Sequence, residues 1–221
     1  MRRIDLKNLR SLAILALFFT GVSLWAQNDP EAEKWLNEAS STMSGYSNIY
    51  VEFDYVLENR AEDVSQELSG TLLLQGDKYV VNLFGSTQIF DGSKTYTIIP
   101  ENEEVNISDT DIDDVSTFTP SKFYSFYKSG YTYSMDEQKT VKGKKVQFIR
   151  LVPIDSDSEV ESILVGIEEP SKHIYQVIEI GNNDTTTTLT AKKIVTDQEI
   201  SASAFAFDEK KYTDMNYLIN R

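Results

Sequence analysis

The sequence predicts a mainly β fold of the α+β class, a single strongly curved antiparallel sheet of about eleven strands accompanied by helices. From residue 49 onward, apolar side chains recur at every second position, which is the period of a strand with one buried face. Turn-forming residues follow at roughly hairpin spacing, so each strand can pair with the next. Because every strand twists, a meander of more than about eight strands curves strongly.

The first 26 residues stand apart from this domain. Residues 12–26 form an apolar run, and small Ala26 precedes the polar Gln27 and Asn28. A basic start precedes the run and consists of Arg2, Arg3, Lys7 and Arg10. This pattern predicts a secretory signal peptide cleaved after about Ala26, with an uncleaved anchor helix as the alternative. We therefore expect residues 27–221 to form one exported, soluble domain.

One amphipathic helix is predicted directly after this segment. Asp29 can cap it, Pro30 suits its first position, and acidic residues follow in the first turn. Gly45 ends the pattern. The apolar positions at helical spacing are Ala32, Trp35, Leu36, Ala39 and Met43. This face must pack against something apolar.

The strands begin at Ile49 and alternate clearly. One face of the first strand carries Ile49, Val51, Phe53, Tyr55 and Leu57. The second carries Leu68, Gly70, Leu72 and Leu74, and the third carries Tyr79, Val81 and Leu83. Turns are predicted at Gly76-Asp77, Gly85-Ser86, Asp91-Gly92, Pro100-Glu101-Asn102, Lys142-Gly143, Glu169-Pro170 and Asn182-Asn183.

An aromatic segment interrupts the meander between residues 119 and 130. Pro120 can open a helix and Gly130 can end it, and the segment carries Phe123, Tyr124, Phe126 and Tyr127. Four aromatic residues in five positions do not fit one narrow stripe of a helix. Either both helices complete an ordinary core, or the aromatic segment closes a cavity lined by Phe53, Tyr55, Leu72, Leu74, Val81 and Leu83.

The chain offers little catalytic chemistry. It has no cysteine and a single histidine, His173, which we interpret as a surface residue at the start of a strand. Residues 109–113 begin like a calcium loop, but Asp114 stands where the loop needs glycine and Pro120 where it needs glutamate. Paired carboxylates for glycoside hydrolysis stay open, since no two are singled out. We expect no enzyme activity, cofactor or metal.

Charge and cysteine content bear on location. Without residues 1–26, the chain keeps 17 basic and 34 acidic residues, a net charge of −17. A surface with this net charge repels nucleic acid and anionic lipid headgroups. The same charge favours a monomer. The absence of cysteine means that the chain cannot receive the lipid of a bacterial lipoprotein, and we expect it to be free in its compartment.

A family resemblance rests on the order of several motifs. They are the helix ending in Ser44-Gly45-Tyr46, the strand Val51-Glu52-Phe53-Asp54-Tyr55, Gly70-Thr71-Leu72-Leu73-Leu74, the Phe90-Asp91-Gly92 hairpin with Tyr96, the Pro120-led helix, Phe148-Ile149-Arg150-Leu151-Val152-Pro153, and Phe205-Ala206-Phe207. Together they resemble the periplasmic outer-membrane lipoprotein carrier family (LolA-like) over nearly the whole exported chain. The resemblance implies an incomplete β-barrel whose concave face is covered by helices.

The resemblance also implies a site. Acyl chains are expected in an apolar cavity formed by Trp35, Leu36, Val51, Phe53, Tyr55, Leu72, Leu74, Val81 and Leu83, under a lid formed by Phe123, Tyr124, Phe126 and Tyr127. Family carriers have an arginine that helps to hold the lid closed, whereas this chain has Gln75-Gly76-Asp77-Lys78 at the corresponding stretch. Lys78 is therefore the candidate lid contact, with less directional binding than a guanidinium.

The implied role is a soluble periplasmic carrier that takes lipoproteins from the inner to the outer membrane. Its implied partners are acylated lipoprotein cargo, an inner-membrane ABC-type lipoprotein release complex and an outer-membrane receptor. The alternative is a regulator of the same fold that senses lipid or lipoprotein.

Overall fold

The computed structural model describes residues 28–109 and 124–221. These residues form two α-helices and twelve strands. The helices are α1 (Pro30–Ser44) and α2 (Glu209–Asp214). The strands are β1 (Ile49–Asn59), β2 (Val64–Gln75), β3 (Lys78–Leu83), β4 (Ser86–Phe90), β5 (Lys94–Ile99), β6 (Glu104–Asp109), β7 (Tyr131–Val141), β8 (Lys144–Pro153), β9 (Val160–Glu168), β10 (Ile174–Gly181), β11 (Thr185–Thr196) and β12 (Leu218–Asn220).

All twelve strands belong to one sheet in the order β12-β6-β5-β4-β3-β2-β1-β11-β10-β9-β8-β7. Neighbouring strands are antiparallel except β12, which lies parallel to β6. The outermost strands β12 and β7 do not pair with each other, so the sheet stays an unclosed, curved barrel. The predicted fold class is confirmed.

Helix α1 forms where the sequence predicts it. The Asp29 carboxylate accepts hydrogen bonds from the backbone amides of Glu31 (2.8 Å) and Ala32 (3.4 Å), and Gly45 ends the helix. The backbone amide of Asp29 also donates to the carbonyl of Tyr133 in β7 (3.0 Å). Capping and the first helical turn are therefore tied directly to an edge of the sheet.

The main core lies between α1 and strands β8 and β9. Ala32, Leu36 and Ala39 of the helix are almost fully buried there. The strand residues of the same cluster are Ile149, Leu151, Ile163, Val165 and Ile167, and Tyr127 joins them. Burying such a cluster stabilises the fold by about 25 cal/mol for each Å² of apolar surface removed from water.

The C-terminal segment covers the β6 edge and links two of the sequence motifs. The Tyr96 hydroxyl donates to the Asp91 carboxylate (2.9 Å), and the Tyr96 ring stacks on Phe207 (4.6 Å between centroids). Phe207 stacks in turn on Tyr212 (5.4 Å). The Phe90-Asp91-Gly92 hairpin and the Phe205-Ala206-Phe207 motif are thus physically coupled, and the chain that follows the second motif leads into β12.

Three predicted details differ from the structure. The turn between β3 and β4 is Phe84-Gly85, one residue earlier than predicted. Strand β12 was not predicted, because three residues are too few for an alternating pattern to show. The described part of the predicted second helix holds one short 3₁₀ segment, Phe126–Lys128. The signal segment, and most of the acidic run and of the Pro120-led segment, lie outside the described residues.

Candidate functional site

An apolar cavity of about 220 Å³ lies on the inner side of the sheet. Its walls come from α1, five central strands and the residue that precedes the 3₁₀ segment by two positions. The lining residues are Met43, Val51, Phe53, Leu72, Val81, Tyr124, Ile174, Tyr175, Gln176, Val177, Leu189 and Ala191. All except Gln176 have apolar or aromatic side chains, so the cavity favours an apolar occupant over water.

Strand register brings one wall together. Val51 of β1 lies opposite Leu72 of β2, which lies opposite Val81 of β3. Glu52 and Asp54 alternate with Val51 and point to the other face. Period-two alternation and continuous pairing therefore place three apolar side chains in one row across the cavity floor.

A register shift completes the opposite wall. Glu52 pairs with Lys193 of β11, but Phe53 pairs with Ala191, so Lys192 is an extra residue in β11. Bulges of this kind re-aim the side chains that follow them. Ala191 lies next to Phe53 at the cavity, while Lys192 binds Asp54 on the outer face (3.1 Å).

Gly70 permits the position of the Phe53 ring. A Cβ atom added at Gly70 would lie 2.5 Å from Cζ of Phe53 and 2.8 Å from the carbonyl oxygen of Asn82. No other residue type leaves this space free. The glycine lets the ring lie flat across β2 and shape the cavity.

Tyr124 closes one side of the cavity. It packs against the cluster of Leu74, Tyr79 and Phe90, and burial raises the pKa of its hydroxyl. A second, smaller space of about 210 Å³ lies on the other side of Tyr124, beside Tyr46 and the Gly76-Asp77 turn. Tyr124 therefore separates the apolar cavity from a space at the C-terminal end of α1.

The cavity is small for a long acyl chain. An engineered apolar cavity of roughly 150 Å³ holds benzene, and pockets for drug-sized ligands range from about 300 to 1,000 Å³. A long chain therefore needs the cavity to enlarge.

The structure brings together five of the predicted site residues, namely Val51, Phe53, Leu72, Val81 and Tyr124. Leu36 and Trp35 lie instead in the main core, and Leu74 is buried in the cluster under Tyr124. Tyr55 contacts the Phe84 ring (5.0 Å between centroids), and Leu83 lines an outer groove. Their predicted binding roles stay predictions.

The predicted lid residues have different surroundings. Tyr127 is buried in the main core and donates a hydrogen bond to the Asn37 side chain (2.8 Å), and Phe126 packs on the same core. Phe123 lies outside the described residues. Lys78 lies against the Asp91-Gly92 turn, where its Cε would be 3.5 Å from a Cβ at Gly92. The described contacts link Lys78 to this hairpin.

Sequence analysis missed the wall contributed by β10 and β11. Ile174, Val177, Leu189 and Ala191 line the cavity, and Met43 of α1 joins them. Val177 lies opposite Leu189 in the sheet. The alternating pattern of the two strands is the sequence signal that could have identified this pair. The long-range pairing of β11 with β1 is what brings them next to Phe53.

His173 is half-buried in the β9–β10 connection and contacts Tyr46, two residues beyond the end of α1. Its Nε2 lies 2.9 Å from the Tyr46 hydroxyl, and the two rings meet edge to face. This position corrects the interpretation of His173 as a simple surface residue. Burial lowers the pKa of His173 below its ordinary value of 6.5, although the Glu168 carboxylate acts in the opposite direction.

The pKa of His173 predicts a pH effect on stability. Since the folded pKa is depressed, the unfolded chain takes up a proton first as the pH falls below 6.5, so the folded state loses stability there. We expect the Tm to fall as the pH is lowered from about 7.5 to about 5.5, and H173N to flatten this dependence. Thermal unfolding followed by circular dichroism checks it; an equally steep profile in H173N contradicts it. His173 is the single histidine of the chain.

Within residues 28–109 and 124–221, no helix has the length and apolar character needed to cross a bilayer.

No family model and no curated protein matches the chain. An uncharacterized conserved protein from Thermus thermophilus matches with a TM-score of 0.54 and 7% identity, over 86% of this chain and 99% of that one. The Mycobacterium tuberculosis lipoprotein LppX matches with a TM-score of 0.51 and 12% identity, over 79% and 100%. A LolA superfamily protein from Nitrosomonas europaea has a TM-score of 0.41 at 9% identity, over 80% and 98%.

The unclosed curved sheet, with α1 on its inner side, has the same fold as the Thermus thermophilus protein and LppX. The two matches with TM-scores above 0.5 cover most of this chain and nearly all of each matched chain. At 7 and 12% identity they concern the fold alone.

Proposed function

We propose that this chain is an exported carrier that shields the acyl chains of lipoproteins and delivers them from the inner to the outer membrane. The observation that supports it most is the apolar cavity on the inner side of the sheet, bordered on one side by Tyr124. In this proposal the protein works in the periplasm without catalysing a reaction. Its partners are the cargo lipoprotein, an ABC-type release complex and an outer-membrane receptor.

The energetics of acyl transfer suit such a cavity. Each buried methylene contributes about 0.8 kcal/mol, so hiding even part of a long chain keeps the cargo in solution. Release of the cargo requires that the free energy gained by burying the acyl chain stay limited. A cavity of about 220 Å³ that enlarges around part of the chain meets both conditions.

Movement of Tyr124 is the proposed entry step. The side chain separates the cavity from the space at the C-terminal end of α1, so its displacement joins the two spaces. Opening of lids and loops is a common step in the binding and release of ligands. The acyl chain then enters between α1 and the β2–β3 turn.

Co-purification tests the proposal directly. The protein is purified after export and extracted, and the extract is analysed by mass spectrometry. We expect acylated lipid or lipopeptide in a ratio approaching one per chain. A protein free of any acyl compound, and unable to bind a fluorescent fatty acid, contradicts the proposal.

Depletion in the source cell separates carriage from sensing. If the protein is the carrier, lipoproteins accumulate at the inner membrane when it is lost. Normal sorting together with an altered stress response contradicts the delivery role and supports the regulator of the same fold.

A further inference from the structure

Only part of β2 is paired on the side that faces β3. Strand β2 pairs with β1 along its whole length, from Val64 to Gln75. On the other side, β3 pairs only with Thr71 through Gln75. The chain turns back at Phe84-Gly85 into β4, which pairs with β3, and among the described residues no backbone pairs with residues 64–70 on this side of β2.

Register identifies which amides face the open edge. Each of the two-residue turns, Gly76-Asp77 and Phe84-Gly85, is flanked by a hydrogen-bonded residue pair. These pairs are Gln75 with Lys78 and Leu83 with Ser86. Alternation from Gln75 then makes Thr71 the last residue that bonds to β3. Further along, Ser65, Glu67 and Ser69 present their N–H and C=O groups outward. These three residues form a template for one more strand.

Apart from the charge of Glu67, this edge lacks the usual devices that protect an exposed strand. Its pairing with β1 has no bulge, and residues 64–70 contain neither proline nor lysine. Val64 is 46% exposed. An open edge of this length, with an apolar side chain at its end, is suited to pairing.

A groove continues the line of the edge. It has a volume of about 540 Å³ and runs from Ser69, Gly70 and Thr71 to the β3–β4 turn. Phe84 stands at its side with 54% of its surface exposed and a φ of 54°, an unfavourable value for a bulky residue. Its ring packs edge to face on Tyr55 (5.0 Å). The groove thus offers an aromatic contact to a side chain of an added strand.

The charge of the β1–β2 hairpin indicates which kind of partner can bind at this edge. The β1–β2 hairpin carries four acidic residues without an ion pair in the described chain, Glu58, Glu62, Asp63 and Glu67, against one basic residue, Arg60. Two copies of this edge would therefore repel each other, because like charges directly opposite destabilise a strand pair. A basic peptide is attracted instead.

We propose that the open edge of β2, from Val64 to Gly70, is a docking site for an extended, basic peptide segment of a partner protein. The segment adds one strand beside Ser65, Glu67 and Ser69 and places an apolar side chain against Phe84. Main-chain hydrogen bonds supply most of the affinity, and the acidic hairpin supplies the preference for lysine and arginine. The site shares the Phe53 side chain with the cavity, but binding of the peptide does not require an acyl chain there.

A matched pair of variants tests this site. Both E67P and E67A remove the charge, but only E67P removes the outward N–H, and it leaves the bonds to β1 intact. The probe is a fluorescein-labelled peptide of alternating threonine and valine with lysines at both ends, titrated at low salt. We expect the exported protein to raise its anisotropy, E67A to bind within about threefold, and E67P to bind about tenfold or more weakly.

Control peptides and readouts complete the test. The same peptide with glutamates for lysines is expected to bind more weakly, and added salt should reduce the difference. Circular dichroism and fatty-acid binding of E67P should match E67A, so a failed fold or a failed acyl site is recognised separately. Equal peptide binding by E67P and E67A, or none by the unaltered protein, overturns the proposal. So does a dimer in sedimentation that E67P alone disrupts.

Discussion

V81W is expected to abolish most acyl-chain binding while the protein stays folded. Val81 lies in the row Val51–Leu72–Val81 on the cavity floor, and an indole at this position occupies much of the 220 Å³. Excluding two methylenes already costs about 1.6 kcal/mol, which is more than tenfold in affinity. Titration with a fluorescent fatty acid measures the loss. We expect a reduction of about tenfold or more.

V80W provides the matched control for this experiment. Val80 is the neighbouring residue of β3, points to the opposite face and does not line the cavity. Its binding should stay within about twofold of the unaltered protein. The variant A191L gives an independent check, because the larger side chain narrows the cavity from the β11 wall. If V81W binds fatty acid as well as V80W does, the cavity is not the acyl site.

G70A is expected to cause the largest loss of stability among single-methyl additions in the sheet. The new Cβ would lie 2.5 Å from the Phe53 ring and 2.8 Å from the backbone oxygen of Asn82. The Phe53 ring must move into the cavity or the outer groove, or the backbone of β3 must shift. Overpacking of this kind typically costs about 1–3 kcal/mol. Urea unfolding measures the difference in free energy.

G45A is the control for the added methyl group. Gly45 has a φ of −75°, and its added Cβ would lie 3.2 Å from the nearest atom. Its effect should be much smaller than that of G70A. The double variant F53L/G70A should recover part of the lost stability, since the smaller side chain relieves the contact with the ring. Full stability in G70A contradicts the packing described around Phe53.

The two proposed sites lie on different sides of β2. Leu72 faces the apolar cavity, whereas the outward amides of Ser65, Glu67 and Ser69 face solvent. Phe53 lines both the cavity and the outer groove, with Gly70 beneath its ring. Changes at Phe53 are therefore the ones expected to affect both sites at once.

Local features of this protein could be predicted from the order of its residues. Helix α1, with its Asp29 cap and Gly45 end, follows from residue types within a few positions of each other. The alternation that puts Val51 and Phe53 on one face is local as well, because the strand period is two. These features depend on neighbours in the chain, so the pattern alone is sufficient to predict them.

Long-range strand pairing selects which of these apolar faces meet at the cavity, and it could not be predicted in the same way. The pairing of β11 with β1 brings residues 191 and 53 together, and the extra residue Lys192 sets which β11 side chain faces inward. Helical spacing put Leu36 on an apolar face and strand alternation did the same for Leu74, but packing buries both side chains away from the cavity. The open edge of β2 exists because β3 turns away at Phe84-Gly85 before β2 ends. Strand length mismatch and long-range register are properties of paired strands, which a single strand's pattern does not contain.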